Sequence, residues 1–272
     1  MKAMYLLFDI GGTHTRIALS DGKTILKKEK YKTLKKFSES MQLIHNKSLK
    51  LSEGKKPKAC VAGIAGLLGK NRTKLIGAPN LQDWVNKPLK NTLQNKICNK
   101  IFLENDAALA GLGEAIFGAG HGYKIVAFLT VSTGIGGVKI VNGKIDAHSL
   151  GFEPGQQVIS LDGKIMKLEN LMSGTALEKK YGRKPPDIEN SKAWDDEAKY
   201  LAIALNNIIV EWSPDVVVLG GALMNKISLE QVKHNLKNLL KIKTAIPPLT
   251  ISKLGDDAGL YGALEYLKQN LN

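Results

Sequence analysis

Three short stretches of this 272-residue sequence carry residues whose types and spacing suit chemistry on an anion or a hydroxyl. Asp9-Ile10-Gly11-Gly12-Thr13 closes the apolar run MYLLF, Ser132-Thr133-Gly134-Ile135-Gly136-Gly137 closes FLTV, and Glu104-Asn105-Asp106 closes KIFL. Adjacent glycines are a costly end for a buried strand, because they surrender chain entropy and pack nothing. They suit a backbone that a ligand must approach. Amide groups can converge there on an anion with no side chain in the way, and Thr13 and Thr133 add hydroxyl donors. A polyphosphate tail held between two such turns is the natural occupant. Asn105 or Asp106 can cap the helix that follows them. An aspartate at a strand end can also accept a proton from a hydroxyl, which is what phosphoryl transfer from a nucleotide asks of its base. SPDVVVLGGAL (213–223) is a buried strand breaking at Gly220 and Gly221, where close backbone approach could receive a nucleoside.

These residues need strands that end on one side of a sheet. LLFDIGGTHTRIALSDGKTI (6–25) and FLTVSTGIGGVKIVNGKI (128–145) both read as strand, glycine-rich turn, strand, Asp-Gly or Asn-Gly turn, strand. Asp-Gly and Asn-Gly are strong hairpin signals because both central positions tolerate positive φ. Two copies of one unit predict two similar halves facing each other across a cleft, each offering one glycine turn to it. Apolar runs alternate with helical patterns over 34–51, 107–118 and 196–212, which predicts an α/β protein with a largely central sheet. GRKPPDIENS (182–191) reads as a loop by its Pro-Pro and polar content.

Charge bounds the partners. The chain carries 39 Lys and Arg against 25 Asp and Glu, a net +14 that favours anionic partners in general. The excess is local, with twelve lysines and three acidic residues between Lys23 and Lys58. Only Tyr31 and Phe37 interleave with them, so no base-stacking platform for nucleic acid is expected. Leu34, Phe37, Met41 and Ile44 recur there at helical spacing, which makes many of these lysines the wet face of an amphipathic helix. Cys60 and Cys98 belong to no C-x-x-C pair, so neither a disulfide framework nor a cysteine metal site is expected. No stretch approaches the ~18 apolar residues of a membrane span or forms a signal segment, and a cytoplasmic location is expected.

The order DIGGT (9–13), ENDA (104–107), STGIGG (132–137), GFEPG (151–155), LENLMSGTAL (168–177), PDVVVLGGAL (214–223) and GDDAGLYGAL (255–264) resembles the ROK family of sugar kinases and sugar-responsive repressors over nearly the whole chain. That resemblance implies the actin, hexokinase and chaperone ATPase superfamily, with two ribonuclease-H-like α/β domains around a cleft. It implies a small N-terminal domain of residues 1–107 plus 256–272 and a larger C-terminal domain of 108–255. It further implies ATP-dependent phosphorylation of a hexose, glucose first, with Asp106 as the base that removes the proton from the C6 hydroxyl. Asn80, Asn105, Glu153 and Glu169 would hydrogen-bond the sugar. Gly11, Gly12, Thr13, Thr133 and Gly134 would hold the phosphates, Gly220 and Gly221 would line the adenosine, and Asp9 would position Mg²⁺ directly or through water.

The sequence also departs from the family pattern. Gln156 stands where many members have a histidine that orders the loop and ligates zinc, and VISLDGKIMKLEN replaces their cysteine cluster, so no structural zinc is expected. Gln156 can still hydrogen-bond a sugar through its donor and acceptor, but it cannot shuttle a proton. The resemblance leaves open polyphosphate as donor, N-acetylhexosamine, mannose or fructose as acceptor, and a non-catalytic sugar sensor. The first strand begins near Met4, which leaves no room for a DNA-binding module ahead of it, so no DNA partner is expected. A homodimer is compatible with the family pattern.

Overall fold

The computed structural model describes residues 3–161, 163–240 and 246–271. Contact grouping divides them into two units. The first comprises Met1–Phe117, Ala147–Gly151 and Asp256–Asn272, and the second Gly118–Asp146 and Phe152–Gly255.

In the first unit the run YLLFDI forms β1 (Tyr5–Ile10), the central strand of a five-stranded sheet. It pairs antiparallel with β2 (His14–Ser20), which pairs antiparallel with β3 (Ile25–Lys32). On its other side β1 runs parallel to β4 (Ala59–Ile64), and β4 parallel to β7 (Ile101–Asn105). The order is therefore β3-β2-β1-β4-β7. Because side chains alternate across a strand, Leu6, Phe8 and Ile10 enter one core with Phe37, Met41 and Ile44 of α1 (Phe37–Leu51), and with Leu89 and Leu93 of α2 (Leu89–Lys96). The helical spacing read from the sequence is that buried stripe from Phe37 onward, whereas Leu34 precedes the helix and is half-buried. Cys60 and Cys98 meet in the same core with their sulfurs 2.8 Å apart, a long-range contact that their spacing did not announce. A small ribbon, β5 (Leu67–Leu68) with β6 (Leu75–Gly77), lies in the chain between β4 and α2.

Asp9 points to the opposite face, where α3 (Asp106–Phe117) and the final helix α8 (Ala258–Leu271) pack. These helices touch backbone to backbone. A β-carbon at Gly262 would collide with the Leu109 carbonyl, and one at Gly113 with that of Ala258. This intimate pairing keeps residues 108–117 with the first unit, so the break falls after Phe117 rather than after residue 107. The segment 147–151 also belongs to the first unit, and the two units are nearly equal in length rather than one small and one large.

The second unit repeats the plan. β8 (Ile125–Val131), β9 (Ile135–Val141) and β10 (Lys144–Ile145) form the antiparallel meander, and β8 runs parallel to β13 (Val216–Gly220), which runs parallel to β14 (Leu249–Ile251). The order β10-β9-β8-β13-β14 matches the first sheet strand for strand. A hairpin, β11 (Val158–Leu161) with β12 (Lys164–Lys167), occupies the stretch where the cysteine cluster is missing. The short α4 (Leu168–Leu171) and α5 (Gly174–Tyr181) follow it. The long α6 (Ser191–Trp212) and α7 (Leu229–Leu239) cover the sheet, with Leu201, Leu205, Ile208 and Val232 in its core. Of the 182–191 segment, 182–190 is irregular apart from one 3₁₀ turn at Pro185–Asp187, and Ser191 already opens α6.

One acid lies inside that second core. Glu197 of α6 is 1 % exposed, and its Oε2 finds no hydrogen-bond partner among the described residues. Burial pushes its pKa from the usual 4.5 up to about 8, against the opposing pull of Lys180. The unfolded chain releases this proton above pH 4.5 while the native chain holds it until about 8, so stability falls as pH rises through that window. Glu197→Gln, which cannot ionise, is expected to flatten this slope and to gain a few kcal/mol over the parent at pH 8. Urea unfolding at pH 5 and pH 8 measures both effects, and parallel curves for the two proteins would sink the assignment.

Candidate functional site

The first half-site is built on the ends of β1, β4 and β7. Register places Ile10 beside Ile64 and Ile64 beside Asn105, so the DIGGT turn and the Asn105-Asp106 corner leave the same edge of one sheet two strand spacings apart, about 10 Å. The turn is held from behind. Thr33 donates its hydroxyl to the Gly11 carbonyl at 2.8 Å and its N–H to that of Thr13 at 2.9 Å, while Lys35 Nζ lies 2.6 Å from the Gly12 carbonyl. Each of the three carbonyl oxygens, which would repel an anion, is thereby engaged with a donor from the 33–35 segment. Lys35 also donates to the Asn80 carbonyl at 2.9 Å, and Asn80 lies against the turn, where a β-carbon on Gly12 would sit 2.6 Å from its own. Gly11, Gly12, Thr13 and Asn80 are thus brought together.

Asp9 is largely buried beneath this turn, against Gly259 in the first turn of α8. Burial pushes its carboxyl up to about 6, and the Arg16 guanidinium, 3.1 Å from Oδ2, opposes that shift. Arg16 also reaches Asp256 at 2.7 Å, and Lys30 together with Arg16 holds Asp256 down at about 2.

At the β7 corner the capping role falls to Asn105, whose Oδ1 accepts the Ala108 N–H at 3.0 Å. Asp106 is the first residue of α3, with its carboxylate at the positive end of that helix. Asn105 Nδ2 donates to the Gly66 carbonyl at 3.1 Å, which ties the corner to the base of the β5–β6 ribbon.

The second half-site is arranged alike. Ser132 donates its N–H to the Gly134 carbonyl at 2.9 Å and so closes the STGIGG turn. The Ser132 and Thr133 carbonyls accept from Gly174 N–H at 2.7 Å and from the Thr175 N–H and hydroxyl at 3.2 and 2.9 Å, all in the first turn of α5. Gly220 and Gly221 end β13 beside the same turn. Gly221 has φ of 94°, and a β-carbon on it would collide with the Val131 backbone.

Glu169 sits between two glycines. β-Carbons on Gly134 and Gly155 would lie 2.5 and 3.2 Å from its Oε1 and Oε2. Burial raises the Glu169 pKa, and the Ile135 N–H, Lys167 and Gln156 pull the other way. Burial and the charge of Glu169 both raise Glu153. Gln156 donates to Glu169 at 3.2 Å and accepts from Lys167 Nζ at 2.9 Å, which fixes which end of its amide faces the acid. The structure therefore groups Thr133, Gly134, Glu153, Gln156, Glu169, Gly220 and Gly221 on the second unit. Sequence reasoning missed Thr33, Lys35, Gly174 and Thr175 because their work is visible only after the chain folds back on itself.

A sequence model of the ROK family matches residues 5–270. The chain belongs to the ROK family. It is 28 % identical to a glucokinase from Thermotoga maritima over 97 % of this chain and 96 % of that protein. It is 27 % identical to an N-acetyl-D-glucosamine kinase from Mannheimia succiniciproducens over 94 % and 96 %. A ROK family glucokinase from Streptomyces griseus, solved with glucose and AMPPNP, superposes with a TM-score of 0.83 at 23 % identity, covering 98 % of this chain and all of that one. The two matched α/β units are the actin-like ATPase fold of this ROK chain.

Two substitutions test the supports. Thr33→Val keeps the shape but leaves the Gly11 carbonyl and the buried Thr15 hydroxyl, 2.9 Å from Thr33 Oγ1, without that partner, and is expected to cost about 1–3 kcal/mol in denaturant unfolding. Gly221→Ala combines a left-handed backbone with a collision and is expected to cost more than about 3 kcal/mol. A Gly221→Ala protein as stable as the parent would contradict the geometry given for β13.

Proposed function

We propose that this chain is a sugar kinase that transfers the γ-phosphoryl group of ATP to a hexose hydroxyl, with glucose the first substrate to test. The observation that carries the reading is the pair of glycine turns whose carbonyl oxygens are engaged by the 33–35 segment in the first unit, and by α5 and the turn's own Ser132 N–H in the second. Such turns suit a chain of phosphates.

In this reading Gly11, Gly12 and Thr13 of the first unit and Thr133 and Gly134 of the second hold the donor's phosphates, and Gly220 and Gly221 line its nucleoside. Asn80, Asn105, Glu153, Gln156 and Glu169 orient the sugar by hydrogen bonds to its hydroxyls. Asp106 accepts the proton of the attacking hydroxyl as its oxygen bonds to the γ-phosphorus and the β–γ bridging oxygen departs. The backbone N–H groups of the turns offset the charge spread over the transferring group. Asp9 fits a magnesium ion that arrives with the nucleotide. It is a carboxylate whose burial outweighs the opposing Arg16, and it would hold such an ion directly or through water. Such an ion neutralises phosphate charge.

ATP is favoured over polyphosphate by the fate of the basic segment. Lys27 pairs with Glu53, Lys28 with Asp257, Lys30 with Asp256, and Lys47 and Lys50 with Glu29, so much of its charge is answered within the chain. The Gly220-Gly221 corner also suits a nucleoside rather than bare phosphate.

A coupled assay with ATP or polyphosphate against glucose, mannose, N-acetylglucosamine, N-acetylmannosamine and fructose tests the reading. ADP release that depends on glucose is the expected result, and no sugar-dependent turnover with any pair would refute it. Asp106→Asn is expected to lower kcat by roughly 10²–10⁴-fold and to leave sugar binding, measured by calorimetry, close to that of the parent.

A further inference from the structure

Arg72 stands outside every motif of the sequence, yet it makes a charged knot in the first unit. It lies in the turn of the β5–β6 ribbon, with its N–H bonded to the Gly69 carbonyl at 2.7 Å and its φ at 48°, a left-handed conformation unusual for a long side chain. Such strain persists where surrounding contacts determine it, and here both ends of the guanidinium are engaged. Nη1 pairs with Oε1 of Glu104, and Nη2 lies 2.7 Å from Nε2 of His148. Glu104 is 2 % exposed, and the same Oε1 accepts the N–H of Asn105 at 2.9 Å. Tyr266 of α8 also hydrogen-bonds Glu104.

We propose that Arg72 is a positioning residue that fixes the sugar-binding residues through Glu104 and His148. Three chain segments meet at its guanidinium. The ribbon is fastened to the β7 corner at its tip by Arg72 and at its base by Asn105 Nδ2 on Gly66, and it runs on to Asn80 three residues after β6. Glu104 is the residue before Asn105 and Asp106, so its ion pair anchors the strand end from which both project. His148 belongs to the 147–151 segment of the first unit, and Glu153 follows it five residues later in the chain. One planar cation thus restrains the approaches to three of the residues assigned to the sugar, Asn80, Asn105 and Glu153, and to the proposed base Asp106. A lysine cannot replace it, because a single ammonium lacks the two-pronged geometry that reaches both partners.

The role in sugar binding rests on the kinase reading above, whereas the restraint itself does not, and two measurements separate them. Hydrogen exchange of Arg72→Lys and His148→Ala, with no substrate present, is expected to show faster exchange over 146–152 in both variants. Unchanged exchange there would overturn the restraint whether or not any sugar is turned over. For the sugar that the parent phosphorylates, Arg72→Lys is expected to raise its KM about fivefold or more while the ATP KM stays within about twofold. The double variant should fall short of the sum of the two single effects, because Arg72 and His148 share one contact. Equal rises in both KM values, or effects that add, would overturn the positioning role. If the parent phosphorylates no sugar, the kinase reading fails and the exchange result still decides the restraint.

Discussion

Everything assigned to this molecule depends on where the carbonyl oxygens of two glycine turns point. A turn without side chains offers as many acceptors as donors, and it attracts an anion only when the acceptors are engaged elsewhere. In the first unit the hydroxyl and N–H of Thr33 and the ammonium of Lys35 do this, and in the second the opening turn of α5 does. The two solutions share a purpose and no sequence. A side-chain clamp from the end of β3 answers a helix N-terminus, so duplication preserved the sheet while the supports diverged.

The supports rest in turn on close packing. The β7 corner is aimed by α3, which lies against α8 so tightly that Gly113 and Gly262 leave no room for a β-carbon. The same α8 begins at Gly259, against the buried carboxylate of Asp9. One helix contact therefore sets both the proposed base and the proposed metal ligand of the first unit. In the second unit Glu169 fills the space beside Gly134 and Gly155, so the acid assigned to the sugar and the turn assigned to the phosphates cannot move independently. Substitutions at these glycines act on chemistry through geometry rather than through any lost contact.

Local signals carried much of this into the sequence. The meanders were legible because Asp-Gly and Asn-Gly turns, apolar runs and paired glycines are each short-range features, and both copies folded as strand, turn, strand, turn, strand. The helical stripe over 34–51 was legible for the same reason, although α1 begins only at Phe37. What stayed hidden was long-range. Nothing in the spelling of Thr33 or Lys35 marks them as partners of residues some twenty positions earlier, and Arg72 and His148 are separated by five strands and two α-helices before they meet. The domain break after Phe117 was equally invisible, because it follows from how α3 packs and not from any change in composition.

The basic stretch that first suggested an anionic partner has a consequence for how the molecule meets its own kind. β3 is the outer strand of its sheet, with one row of backbone groups unpaired to any strand among the described residues, and Leu26 is exposed on it. Such an edge invites a neighbouring chain to add its own strand. Lys27, Lys28, Lys30 and Lys32 line it, all exposed, and a second copy adding its strand there would have to desolvate Lys32 and the ion pairs of Lys27, Lys28 and Lys30. The lysines thus make this border a poor template for the strand of another copy.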